Sequence, residues 1–564
     1  MLNDRIGCLR PVLAAMSLAV WLVPDAVAGR LAFIGVHRYG VAGVEELLGS
    51  QRLAIAPGGE HVYVPGFDSD RISVFLRNGS NGALTLTSLG VSIDVPSSVA
   101  VSPDGVHAYA TEQSTGVQVF SRNATTGALT FLAVYDDNTT AALNGPASIA
   151  VSPDGQHVYV GCFPTDSIVV FSRNSITGLL TFVEQQTDGV GGVDGINNVK
   201  DLTLTPDGLH LYATGQDDQA VAAFSRNVGT GALTFVEVQR DGVGGVDGLL
   251  GALDVTVSGD GAHVYTTGGE QKVAVFSRNV GTGALTFVEA EAQPMLLGTR
   301  GVAVSPDGTQ AYVTGWGSDR LAVFTRDTGT GALTLVEMLE DGLAGVTGLF
   351  SPFDVVVSPD NAHVYVSAEG GAVVAFRRID HTCSATPLGG CHIPAEPQKS
   401  KLVVKDNLDD ARDLVVWRWR RGDTVAVGDF GDPITGGTDY AVCLYDAAVQ
   451  PQPQLTALFP AGGGCGSAKD HGALSCWKSL GGRGFRYSSR NRNPDGVSPV
   501  SLKAGPAPTS QVSLKGKGEA LPLPALPLIF PVTVQLQASN GSCWTATYST
   551  ATQNTATLVQ ATSD

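Results

Sequence analysis

Cysteine is nearly missing from the first two thirds of this 564-residue chain: before residue 380 only Cys8 and Cys162 occur. No disulfide framework therefore organises that part. No CxxC pair is present anywhere, which removes the commonest ligand spacing of a structural zinc site. Past the N-terminus no stretch has 18 uninterrupted apolar residues, so no later span of the bilayer is expected. Positive charge is short as well. Lys and Arg number 35 against 53 Asp and Glu, a net charge of −18, which argues against binding a nucleic-acid backbone. The shortfall is uneven. Residues 1–398 hold 19 basic and 40 acidic residues, a net of −21, and residues 399–564 hold 16 and 13, a net of +3.

What the early part has instead is repetition. In Ala252–Glu289 four short runs, Val255–Val257, His263–Thr266, Val273–Phe276 and Leu285–Val288, alternate or are β-branched at strand length. Turn residues separate them: Gly259-Asp260-Gly261, Gly268-Gly269, and Asn279 through Gly283. The unit predicts a four-stranded antiparallel sheet that buries neither face alone. Related turns begin at Pro57, Pro103, Pro153, Pro206, Gly259, Pro306 and Pro359, so there are seven copies, 46 to 53 residues apart. A four-stranded unit at this period predicts a seven-bladed β-propeller. The seventh copy lacks its "GALTFVE" strand. Leu31–Val36 near the N-terminus matches that strand and is expected to complete the last blade, leaving no open edge.

At these "SPDGxxVYV" residues the chain resembles the seven-bladed propeller lactonase family with YVTN-type repeats, which includes the propeller-type 6-phosphogluconolactonases. The resemblance covers roughly Leu31–Arg378. It implies the fold, and it implies lactone hydrolysis as one activity to consider. Members of that family often carry a "PRH" element before an innermost strand and "NE" after a "YVxN" strand. The nearest positions here are Pro146-Ala147-Ser148 and Thr111-Glu112, and the Arg-His pair is absent.

Residues 1–28 read as a secretory signal, with Arg5 and Arg10 ahead of the apolar run Pro11–Val23 and a cleavage site at Ala26-Val27-Ala28. The expected location is periplasmic, cell-surface or secreted, with no transmembrane segment after cleavage. Six cysteines cluster after residue 380: Cys383, Cys391, Cys443, Cys465, Cys476 and Cys543. In an exported chain they are expected to form three disulfides. The pairing chosen is Cys383–Cys391, Cys465–Cys476 and Cys443–Cys543. The expected organisation is all-β: signal peptide 1–28, propeller 29–379, linker 380–399 and a β-sandwich over 400–564. The last resembles a C-terminal module of exported bacterial proteins, on "KLVVKDNLDDARD", "DFGDP" and "NPDGV". In Trp417-Arg418-Trp419-Arg420-Arg421 the tryptophans are expected inward and Arg418 and Arg420 outward. The run Lys478–Arg492, with Arg483, Arg486, Arg490 and Arg492, is read as docking on the acidic propeller or on a surface polymer.

A residue repeated in every blade serves the blade before it serves a single site. That rule assigns His61, His107, His157, His210, His263 and His363 to the scaffold, each supporting its own Asp-Gly turn. The repeated arginines Arg77, Arg122, Arg173, Arg226, Arg278 and Arg326 fall with them. The loops that differ between blades lie on the opposite face, so the ligand site is expected there, around the channel mouth. Its candidate residues are Arg52, Lys200, Asp201, Asp254, Arg300, Asp354 and Trp316. Asp254 and Glu112 are the candidate acid or base, and Glu369 sits at a turn similar to that of Glu112. Phe67 and Phe163 occupy turns comparable to that of Trp316. No metal site or cofactor is expected, apart from Ca²⁺ as a candidate at the Asp- and Gly-rich loops Asp188–Ile196, Asp241–Leu249 and Asp341–Leu349. The sequence is read first as an exported binding protein for a small polar or sugar-like ligand, a cell-surface polymer or a protein. Lactone hydrolysis is the alternative, and a structural cell-surface component the third reading.

Overall fold

The structure, a computed structural model, describes residues 30–41, 44, 46–136, 143–343, 345–379, 381–435, 437–447, 453–462, 476–489 and 495–564. The signal-peptide reading, Cys8, Cys465, Arg490 and Arg492 lie outside them.

Seven four-stranded antiparallel sheets follow one another around a central axis. Their innermost strands, blades 1 to 7 in order, are Ala54–Ile55, Pro96–Val101, Pro146–Val151, Val199–Leu204, Asp254–Val257, Thr299–Val304 and Pro352–Val357. In the second strands nearly every residue is buried, because both faces of each sheet pack against neighbouring blades. Blade 7 takes its outer strand from the N-terminus. Arg30–Arg38 pairs antiparallel with Ala372–Ile379, in register from Arg30↔Ile379 to Arg38↔Ala372. The expected closure is therefore present, and it is longer than the sequence match by a residue or two at each end.

The repeated arginines do more than serve their own blade. Arg173 of blade 3 donates to Tyr109 Oη at 2.7 Å and to Asp104 Oδ2 at 2.8 Å, and its Nη2 lies 2.8 Å from His107 Nδ1. All three partners belong to blade 2. The same guanidinium also donates to the Gly155 carbonyl in its own blade. Arg226 of blade 4 and Arg326 of blade 6 repeat the set toward blades 3 and 5, and Arg77 repeats it from blade 1 to Tyr365, Asp360 and His363 of blade 7. The histidines thus face the next blade's arginine rather than merely bracing their own Asp-Gly turn. At the blade 6–7 junction Arg378 takes the arginine position and Gln310 the histidine position. The sequence reading missed Arg378 because "FRRI" lacks the flanking "SRN". Every arginine here is buried and multiply hydrogen-bonded, so each blade junction is closed by charge-assisted bonds in addition to apolar packing.

Residues 400–564 form two further sheets, one of eight strands and one of four, around a single core that includes Trp417, Trp419, Trp477 and Trp544. Arg418 and Arg420 point outward, as expected from the alternation. The four-stranded sheet faces the propeller. Along Tyr440–Tyr445, Tyr440, Val442 and Leu444 enter the sandwich core, whereas Ala441, Cys443 and Tyr445 join Ala32 and Ile379 of the propeller in a separate cluster. Arg377 pairs with Asp439 at 2.5 Å across this junction, and Arg30 pairs with the buried Asp495.

The disulfides correct the expected pairing. Cys383 bonds Cys443 and Cys391 bonds Cys543. Cys476 is disulfide-bonded too. The segment between Cys383 and Cys391 does not fold back on itself. It runs across Val532–Ala538, held by bonds from Ser384 N to Gln537 and from Leu388 N to Gln535. Its two ends therefore reach the strands on either side, Tyr440–Tyr445 and Cys543–Tyr548. Cys162 is buried as a thiol. Among the described residues no helix is long and apolar enough to cross a membrane.

Candidate functional site at the channel mouth

The rim residues separate into two layers, and an irregularity in the inner strands is the cause. Register shifts occur between Val199 and Asp201, between Thr299 and Val302, and between Pro352 and Asp354. Such a shift re-aims successive side chains. Asp201 and Asp354 enter the channel, whereas Lys200 and Arg300 stay at the mouth.

In the channel, Arg52 of blade 1 donates to Asp254 Oδ1 at 2.7 Å and lies 3.4 Å from Asp201. Its other nitrogen reaches the carbonyls of Lys200 and Leu253. The carboxylates also accept backbone N–H groups from the following blade: Val255 to Asp201, Val302 to Asp254, and Leu53 to Asp354. Burial pushes the Asp201 and Asp354 carboxyls up, and the neighbouring Asp254 adds to the effect. Burial opposes ionisation of Asp254 too, but the adjoining Arg52 and the hydrogen bonds it accepts hold it low. Arg52, Asp201 and Asp254 therefore satisfy one another, and with Asp354, whose oxygens accept from Leu53 and Val355 N–H, they form the floor beneath the mouth. Ser148 adds a bond to Asp201. Gly301 stands at the equivalent position in blade 6, where a Cβ would meet the blade 7 backbone at 2.8 Å.

Above this floor the groups are more open. The first residue of each second-to-third turn occupies one repeat position: Phe67, Gln113, Phe163, Gln216, Gly269, Trp316 and Glu369. In all seven the backbone N–H donates to the preceding inter-blade loop, for example Phe163 to Gly145 and Trp316 to Gly298. Lys200 lies over the Phe163 ring, 4.8 Å from its centroid. Arg300 lies 3.7 Å above the centroid of Phe353. Glu369 joins the two remaining groups: it accepts from Trp316 Nε1 at 2.6 Å and lies 3.5 Å from Arg300. Desolvation pushes the Arg300 guanidinium down to about 10, with Glu369 opposing. It lowers Lys200 as well, reinforced by Arg300 and Arg52 and opposed by Asp217. A cleft of about 420 Å³ opens beside Glu369, lined also by Phe67, Asp68 and Phe350.

Sequence reading noted Glu369 only as sitting at a turn similar to that of Glu112 and did not place it among the ligand-site residues. The available signal was that it shares a repeat position with Trp316 and Phe163. Glu112, the other candidate, is buried at the end of its strand and accepts from Gln118 at 2.7 Å. It touches neither Arg300 nor Glu369. Thr299-Arg300-Gly301 places an arginine ahead of the innermost core of blade 6, with glycine rather than histidine after it.

In the first Asp- and Gly-rich loop, positive φ at Gly189, Gly191, Gly192 and Gly195 accounts for the glycines. Asp188, Asp194 and Asp218 bring carboxylate oxygens within 4.8 Å of one another. Arg240 lies among them, 2.5 Å from Asp194 and 3.6 Å from Asp218.

No curated protein matches the chain. Among solved structures, the periplasmic gluconolactonase of Pseudomonas aeruginosa is 22% identical, over 56% of this chain and 88% of that one, with a TM-score of 0.45. A candidate 6-phosphogluconolactonase from Bacteroides uniformis is 22% identical over 51% and 84%, with a TM-score of 0.43. Hydrazine synthase of Kuenenia stuttgartiensis is 18% identical over 61% and 100%, with a TM-score of 0.45. Residues 98–246 and 241–340 match the family model described as lactonase, 7-bladed beta-propeller. Its seven blades and this match over most of the propeller make residues 98–340 similar to the seven-bladed β-propeller lactonase family.

Proposed function

We propose that the chain is an exported lactonase that opens a sugar-type cyclic ester at the mouth between blades 6, 7 and 1. The observation that carries the reading is Glu369. It stands between Arg300 and Trp316 and opens onto the cleft flanked by Phe67 and Phe350. Arg300 is a partly desolvated cation suited to polarising the ester carbonyl, where negative charge develops during attack. Glu369 takes a proton from water, and the water oxygen bonds to the carbonyl carbon. The ring C–O bond then breaks, and the proton returns to the leaving alkoxide, giving the open hydroxy acid. Trp316 and the two phenylalanines offer apolar faces to a sugar ring. Export rests on the reading of residues 1–28 and on the disulfides, which persist in oxidising compartments.

Binding of a sugar-like ligand without turnover is the second reading. It is favoured by the glycine that follows Arg300 where the family often has histidine. Two assays on the mature chain separate the readings. Acid release from several lactones, including a sugar lactone, is expected to exceed the spontaneous rate and to fall in Glu369→Gln and Arg300→Met. Calorimetric binding that is lost in Trp316→Ala, with no acid release, would replace hydrolysis by binding. Activity lost in Glu112→Gln but kept in Glu369→Gln would move the site to blade 2.

A further inference from the structure

The eight-stranded sheet of the C-terminal domain is charged on one face and with one sign. Its strands are Ser400–Lys405, Leu414–Gly422, Trp477–Ser479, Gly484–Tyr487, Val497–Lys503, Ser510–Lys517, Ala551–Thr555 and Leu558–Thr562. Together they contain ten Lys or Arg and no Asp or Glu. Among the described residues the acidic side chains of the domain lie outside its strands. Alternation sends the apolar partners inward, so the cations collect on the outer face. This occurs in a chain whose net charge is −18.

The face is also shaped. A cleft of about 760 Å³ runs over it, and five cations line it: Arg418, Arg483, Arg486, Lys503 and Lys515. They come from four strands and one turn, so they converge on a single groove rather than following one another in sequence. Among the described residues none of the five forms an ion pair. Arg421, on the same strand as Arg418, is by contrast paired with Glu396. The floor between the cations includes the apolar side chains of Leu414 and Val416 and the hydroxyls of Ser501 and Ser513.

The acidic propeller does not fill this groove. The four-stranded sheet meets the propeller, through Ala441, Cys443 and Tyr445, and the cations stand on the far side of the other sheet. No aromatic side chain points outward from these strands, which removes the stacking platform that single-stranded nucleic acids use.

We propose that this groove binds an acidic polysaccharide of the uronic-acid type. Guanidinium groups bond carboxylates in a planar, two-point geometry. The apolar floor suits the C–H faces of sugar rings, and the serines suit ring hydroxyls. The cations are spread over several strands, so several successive carboxylates are engaged at once. The inference is independent of the lactonase reading, since the groove shares no residue with the propeller mouth.

The test uses the full mature chain and a uronic-acid hexamer, with a neutral hexamer of the same length, inorganic polyphosphate, a single-stranded oligonucleotide and phosphatidylglycerol vesicles as comparisons. Calorimetric affinity is measured for wild type, Arg418→Ser/Arg486→Ser and Lys515→Glu, with melting curves to confirm folding. The expected result is binding of the uronic-acid hexamer that weakens about tenfold or more in each variant and also weakens with added salt. Lys515→Glu lies on a different strand, so it keeps the test decisive if the double variant fails to fold. Absence of binding, binding unchanged in the variants, or tighter binding to any of the comparison ligands would overturn the proposal.

Discussion

Arg52 and Asp254 stand 202 residues apart in sequence, yet Arg52 Nη1 lies 2.7 Å from Asp254 Oδ1 across the propeller axis. The bond joins blade 1 to blade 5 and brings a single cation among three carboxylates. It turns an open channel into a floored cup. The proposed lactone site lies at the mouth above this floor.

This arrangement makes Arg52→Met strongly destabilising. Removing the cation leaves Asp254 and its neighbours buried without a counter-charge, at a cost of about 3–5 kcal/mol. Adding Asp254→Asn should recover part of the loss. Urea unfolding of the two variants and the wild type checks this, and an unchanged midpoint in Arg52→Met would refute the floor.

Closure of the ring depends on Arg30–Arg38. A chain beginning at Tyr39 should expose the edge of Ala372–Ile379, melt many degrees lower and aggregate. It also loses the pairing of Arg30 with Asp495, so the junction with the sandwich should loosen. Thermal melting with light scattering measures both effects, and a melting temperature equal to that of the mature chain would contradict the closure.

The histidine positions carry a pH dependence. Burial and Arg77 push the His363 imidazole down to about 4, with Asp360 opposing. An unfolded histidine titrates near 6.5. The unfolded chain therefore binds this proton first. The contribution of His363 is complete above about pH 6.5 and is lost as pH falls toward 4. Gln310 fills the same position in blade 6, where its side-chain oxygen accepts from Tyr312 and from the junction arginine Arg378. His363→Gln should thus keep stability at pH 7.5 and reduce its fall between pH 6.5 and 4. Urea midpoints across that range give the result, and an unchanged slope would count against it.

Peptide mapping without reduction should recover Cys383 with Cys443 and Cys391 with Cys543. The bridges close separations of 60 and 152 residues, for which loop entropy gives roughly 4–5 kcal/mol each. Cys383→Ser and Cys391→Ser should each lower the unfolding midpoint of the sandwich. Recovery of a Cys383–Cys391 peptide would show that the linker turns back on itself.

What the sequence made legible was local and repeated. The Asp-Gly turns and the "GALTFVE" runs recur at one period, so the blades, their number and the borrowed strand could all be read. Pairings set by sheet order were not legible. Cys383 meets Cys443 because of where Tyr440–Tyr445 lies in a sandwich that occurs once, with no second copy to compare. The two-layer rim was hidden for a different reason. Lys200 and Asp201 are adjacent in sequence, and only the irregular inner strand sends one to the mouth and the other to the floor. Trp316 was recognised by its residue type, whereas Glu369, noted only for a turn similar to that of Glu112, joined the site through its contacts with Trp316 and Arg300.

The most direct measurement is kcat/KM for a sugar lactone, compared between the mature wild type and Glu369→Gln. The substitution keeps the shape of the side chain and removes its capacity to take a proton from water. The expected result is a wild-type rate well above spontaneous ring opening and a loss of about 10²-fold or more in the variant, in keeping with removal of a general base. Equal kcat/KM in the two proteins, with both folded, would contradict a catalytic mouth at Glu369.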